Sequence, residues 1–151
     1  MKFKKITLVL AAVSALAFGA QSAFAQYDVN ENPNANNSWQ GPASDKVALN
    51  YGVHFVGTLS SSSDEDWSTF TPPNNTIGPG SYADITLVSP PGYSYNLAIT
   101  DSNGGYVAKT WLQDSGNVAV VRIYTEANRT YWIGVTPGSS ISTWNYQLTI
   151  N

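Results

Sequence analysis

The run Tyr82-Ala83-Asp84-Ile85-Thr86-Leu87 puts Ala83, Ile85 and Leu87 on one side and Tyr82, Asp84 and Thr86 on the other. A period of two is the repeat of a β-strand that buries one face and wets the other. Ser89-Pro90-Pro91-Gly92 then turns the chain, since proline and glycine together interrupt regular structure. Tyr95, Leu97 and Ile99 resume the spacing, and Asp101-Ser102-Asn103-Gly104-Gly105 is a second turn. The pattern extends outward in both directions. Before it come a short run from Val47 to Asn50, a strand with Val53, Phe55 and Leu59 on one face, and Asp66 to Phe70. After it come Tyr106 to Trp111, the β-branched run Val118 to Tyr124, then Tyr131, Ile133 and Val135, and finally Trp144, Tyr146, Leu148 and Ile150. Eight or nine short strands joined by turns, with no amphipathic helix, predict an all-β antiparallel β-sandwich or barrel.

The N-terminus reads differently. Lys2, Lys4 and Lys5 precede an apolar run from Ile6 to Phe18, and Ala23-Phe24-Ala25 has small residues where a signal peptidase cuts. Residues 1–25 are therefore expected to be a signal peptide cleaved after Ala25, and the protein to be secreted. The apolar run is too short to span a bilayer, which takes ~20 residues. Residues 26–45 form a polar arm with no helical or strand period, and residues 46–151 form the sandwich domain. The arm is either a leader without structure or a segment that folds back to offer amide and carboxylate oxygens, with Trp39 as its anchor.

Past residue 25 the basic side chains are Lys46, Lys109, Arg122 and Arg129, against ten acidic ones. This balance argues against nucleic acid or an anionic membrane as partner, because both are held by basic patches. The chain has no cysteine. That excludes disulfides, thiol catalysis and cysteine-held metals.

The acidic turn Ser63-Asp64-Glu65-Asp66-Trp67 stands out in a chain with few charges. In extended backbone Asp64 and Asp66 point the same way and Glu65 the other. Two convergent carboxylates call for a cation between them, which makes the turn half of a calcium site. His54 is the only histidine and falls on the wetted phase of its strand. Catalytic constellations are missing: no serine sits in a Gly-x-Ser-x-Gly setting, and two carboxylates in one turn do not face each other across a sugar cleft. The chain is read as no enzyme.

Aromatic residues exceed what a small core requires. Trp67, Tyr131 and Tyr146 are expected inside. Tyr106, Trp111, Tyr124 and Trp132 fall out of phase with the inward sets or near turns, and are expected to form an exposed ligand-binding strip. Such a strip stacks on sugar rings or lies along a peptide, and the sequence leaves both open.

The pieces, in order, resemble the bacterial pre-peptidase C-terminal domain family, which is related to the clostridial collagen-binding domains. They are the opening Asn32-Pro33-Asn34 or Asn36-Asn37-Ser38, Val56-Gly57-Thr58-Leu59, Asp64-Glu65-Asp66-Trp67 with Phe70, Tyr95-Asn96-Leu97-Ala98-Ile99 before Asp101-Ser102-Asn103-Gly104, Thr130-Tyr131-Trp132-Ile133-Gly134-Val135, and Tyr146-Gln147-Leu148-Thr149-Ile150. The resemblance covers roughly residues 30–151 and implies a jelly-roll-like sandwich without catalytic residues. In calcium-binding members the opening and the Asp-x-Asp turn share a metal. Carried over, Asp64 and Asp66 with Glu31 and Asn34 or Asn36 would hold one Ca2+; Asn32 stands where the family prefers glutamate. The implied partner is an extracellular protein or polysaccharide, such as a protease or a matrix or wall polymer. A carbohydrate-binding module or small sandwich-fold hydrolase is the alternative.

Overall fold

The computed structural model describes residues 28–30, 46–73 and 80–151. Residues 1–25, expected to be a signal peptide, and Glu31, Asn34, Asn36 and Trp39 lie outside them. Ten strands are present among the described residues: β1 (Asp28–Asn30), β2 (Val47–Leu49), β3 (His54–Gly57), β4 (Asp66–Phe70), β5 (Tyr82–Val88), β6 (Asn96–Asp101), β7 (Lys109–Ser115), β8 (Val118–Tyr124), β9 (Tyr131–Thr136) and β10 (Tyr146–Ile150). Among the described residues no helix is long and apolar enough to cross a membrane. The expected all-β sandwich is the fold.

One sheet has six strands in the order β1-β3-β10-β5-β8-β7, and the other has four in the order β2-β4-β9-β6. Successive strands β3 to β6 alternate between the sheets, as do β8 to β10, which is the winding of a jelly roll. The departure is β7. A regular jelly roll would seat it beside β6. Here Tyr106 makes a single bridge to Thr100 of β6, after which the chain crosses over and pairs Lys109–Ser115 with β8.

The alternation read from the sequence decides what is inside. Ala83, Ile85 and Leu87 of β5, Val121 and Ile123 of β8, and Leu148 and Ile150 of β10 pack against Leu97 and Ile99 of β6 and Tyr131, Ile133 and Val135 of β9. Burying such side chains contributes about 1.5–3 kcal/mol each. Trp67, Tyr131 and Tyr146 are buried as expected.

Three features depart from the expectation. First, the polar arm carries no strand pattern, yet Asp28–Asn30 pairs in parallel with His54–Val56. Backbone hydrogen bonds to a neighbouring edge need no alternation of side chains. Second, β4 and β9 are buried on both faces instead of one. The Trp67 ring lies flat over Gly134, its register partner, where a Cβ would sit 2.7 Å from the indole. Third, Trp144 is exposed although it shares the phase of Tyr146, Leu148 and Ile150. The strand begins only at Tyr146, so Trp144 stands in the preceding bend where alternation has no hold.

Candidate functional site

The acidic turn closes on itself. Asp64 is buried, and its Oδ2 accepts hydrogen bonds from the Ser60 backbone N–H at 2.6 Å and the Ser60 hydroxyl at 2.7 Å. The Asp64 N–H donates back to the Ser61 carbonyl. Two residues on, Asp66 opens β4 and is 1% exposed. The Tyr146 hydroxyl donates to its Oδ2 at 2.7 Å. Glu65 leaves the other way and accepts from the Trp67 indole N–H at 3.0 Å. Both aspartates are thus buried, Asp64 in the turn and Asp66 at the start of β4, while Glu65 bonds elsewhere. Each aspartate also has a partner that the spacing alone did not show.

These are oxygen groups, with neither sulfur nor imidazole, and that chemistry suits a hard cation such as calcium. Among the described residues no cluster of three or more carboxylate, histidine or cysteine side chains forms a metal site by itself. The further side-chain ligands expected from the sequence, Glu31 and Asn34 or Asn36, lie outside the described residues. His54 sits on β3 opposite Thr149, on the outer face of the six-stranded sheet.

The aromatic residues divide. Tyr106 is 80% exposed, Tyr124 56% and Trp111 44%. Trp132 is a correction: it is 8% exposed, on β9, with the Lys46 ammonium 4.1 Å from its ring centroid. A cation over an indole face is attracted by the ring quadrupole, and here it helps close that face to solvent. Trp132 therefore drops out of the exposed strip. Tyr82, Leu112 and Trp144 are exposed as well, but Trp111 takes the inward phase of β7 and Tyr124 the outward phase of β8, so the exposed aromatics do not form one strip. Tyr82 was legible, because it lies in the wetted phase of its own strand. It sits directly opposite Tyr124, and Arg122 stacks 3.8 Å over its ring while forking onto Asp84 with two 2.7 Å bonds.

Trp111 occupies a distinct position. The six-stranded sheet is wider than the four-stranded one, so its edge strand β7 overhangs. A bulge between Trp111 and Gln113 leaves Leu112 without a register partner. The extra residue resets the phase. Trp111 pairs with Val121 and Asp114 with Ala119, so both face inward although they are three residues apart. Together with Asn96 and Leu97 at the start of β6 they line a cleft of about 210 Å³. Ser94 joins it to a shallower cup of about 490 Å³ bordered by Tyr93 and Asn117.

Comparison with solved structures finds a match for the fold. The fold is that of a pre-peptidase C-terminal domain. One solved structure that it resembles is that domain of the collagenase from Bacillus anthracis, with a TM-score of 0.51 and 16% identity, over 82% of this chain and 100% of the other. The expected resemblance holds at the level of fold. No family model matches the sequence, and no curated protein sequence does.

Proposed function

We propose that the chain is a secreted, non-catalytic β-sandwich module that engages an extracellular protein or polysaccharide through exposed aromatic side chains and binds one calcium ion at its acidic turn. The observation that carries this reading is that Tyr106, Trp111 and Tyr124 stay exposed in a domain whose interior is already filled. Large exposed aromatics are costly to keep and are typical of binding surfaces. Export rests on the signal-like residues 1–25. Calcium would be held by Asp64 and Asp66 together with Glu31 and Asn34 or Asn36, tying the arm to the sandwich.

The non-catalytic reading is supported by the cleft beside Trp111. Its lining contains one carboxylate, Asp114, whereas glycoside hydrolysis uses a pair. A carbohydrate ligand remains the second reading, because an indole beside amide and carboxylate groups also suits a sugar. Pull-down of the protein on collagen, cellulose, chitin and peptidoglycan tests the proposal. Retention on one of them, weakened by Trp111→Ala or Tyr106→Ala, supports it. Retention on none overturns it.

A further inference from the structure

The departure of β7 leaves a place unfilled. β6 is the edge of the four-stranded sheet, and beyond the Thr100–Tyr106 bridge no strand among the described residues pairs with its outer side. The direction of its backbone groups follows from one bond. The Asp101 N–H donates outward to the Gly105 carbonyl at 3.1 Å. Alternate residues of a strand send their N–H and C=O to the same side. Leu97, two pairs of steps away, therefore presents both groups to the open edge. An unpaired strand edge is a template for another extended chain.

The cleft described above lies beside this edge, under the overhang. A residue paired opposite Leu97 shares its face and so points inward, between the sheets. There it meets the Trp111 indole, the Asp114 carboxylate and the apolar surface of Leu97 and Ala119. That lining fits one side chain well: a long apolar stem ending in a cation. The stem packs on Leu97 and Ala119, the cation faces the indole, and the carboxylate neutralises it. The overall acidity of the chain, a formal net charge of −3, draws a basic partner in the same direction.

We infer that the open edge of β6 takes up an extended basic peptide segment as an added strand, with a lysine or arginine side chain seated between Trp111 and Asp114. This rests on the binding-module reading and assigns that module a peptide ligand and a place for it. The added segment is short, because the bridge at Thr100 closes the far end of the edge. A sugar would use the indole and the carboxylate but has no use for the strand-spaced N–H and C=O of Leu97, which is why the peptide is favoured.

The test uses the full chain and a blocked heptapeptide of alternating valine and arginine. Three comparison probes accompany it: the same peptide with glutamate for arginine, the same peptide N-methylated at alternate backbone nitrogens, and cellohexaose. Affinity is followed by titration, and hydrogen exchange is followed at the Leu97 amide. The arginine peptide is expected to bind and to slow exchange at Leu97. Glutamate or N-methyl substitution, Trp111→Ala and Asp114→Asn should each weaken binding by about tenfold or more. Trp111 and Asp114 are exposed, so both variants should melt near the parent. Equal binding of the N-methylated peptide, unchanged exchange at Leu97, no binding, or binding of cellohexaose in place of the peptide overturns the inference. Retention on one of the polymers above, with any of those results, would leave the module reading standing and remove only this site.

Discussion

The Tyr146 hydroxyl reaches across the sandwich from β10 to donate to the Asp66 carboxylate on β4, at 2.7 Å, with both residues out of contact with water. One bond thus joins the two sheets next to the acidic turn. A carboxylate buried in this way depends on its donors, because losing one leaves a desolvated charge less well satisfied.

Tyr146→Phe should destabilise the fold by about 1–3 kcal/mol, the range for stranding one side of a buried hydrogen bond to a charged group. Gly57→Ala should act on the same phenol. A Cβ there would run into the Tyr146 phenol, and overpacking of this kind costs about 1–3 kcal/mol. Denaturant unfolding of both variants checks the pair. A parent-like midpoint for Tyr146→Phe would mean that the bond contributes nothing net.

Calcium should raise the melting temperature. At a concentration about a hundred times its dissociation constant, an ion bound only by the folded state adds about 2.7 kcal/mol. Melting with calcium and with chelator, for the parent and for Asp64→Asn, measures it. The shift should shrink or vanish in the variant. Equal midpoints in the parent would take the ion out of the proposal.

Asp101 should contribute to the acid limb of stability. Its carboxylate accepts from the Gly105 and Asn103 backbone N–H groups and from Arg129, and the two backbone bonds are the main reason its pKa lies below the ordinary aspartate value. A lowered folded-state pKa stabilises above the unfolded value and is lost as pH falls through the folded one. Asp101→Asn should therefore be less stable than the parent near neutrality, with the gap closing in acid. Urea midpoints across pH 2–7 would show this, and a gap that stays constant would refute it.

Tyr131 should act at the other end of the scale. Burial pushes its phenol above the ordinary tyrosine value, partly offset by the Glu126 N–H that donates to its oxygen at 2.9 Å. The same hydroxyl donates to the Tyr124 carbonyl at 3.2 Å and so fastens the β8–β9 turn. Its stabilisation is complete below about pH 10 and declines as pH rises through the raised folded-state value. Tyr131→Phe should lose about 1–2 kcal/mol at neutral pH for the two missing bonds, and should show a weaker decline at high pH. Guanidinium unfolding at neutral and alkaline pH separates the two effects.

Local sequence was enough for strands bounded on either side by turn or charged residues. Asp66–Phe70 and Val118–Tyr124 run over the same residues in sequence and structure. Pattern was weaker where a strand is held by its neighbours alone. Asp28–Asn30 has no apolar repeat and owes its form to pairing with β3. The segment read as Tyr106 to Trp111 in fact starts at Lys109 and runs to Ser115, because its pairing with β8 and its bulge, not its hydropathy, set its ends. The same holds for the sites. The acidic turn was visible as charge density, but Tyr146 lies eighty residues away in sequence, so no spacing could announce its bond to Asp66. Trp111 and Asp114 share a face only because of the bulge. Trp132 was misjudged since phase tells which face a side chain takes and not what lies over it.

The place of β10 has a bearing on how the molecule is assembled. It lies between β3 and β5, bonded to both. Two strands separated early in synthesis thus meet only through a segment made more than fifty residues after the second of them. Closure of so long a loop precedes any gain from the larger sheet, which makes for slow, late and concerted folding. A nascent chain that has not yet reached Tyr146 holds its first half as halves of a seam still waiting for their thread.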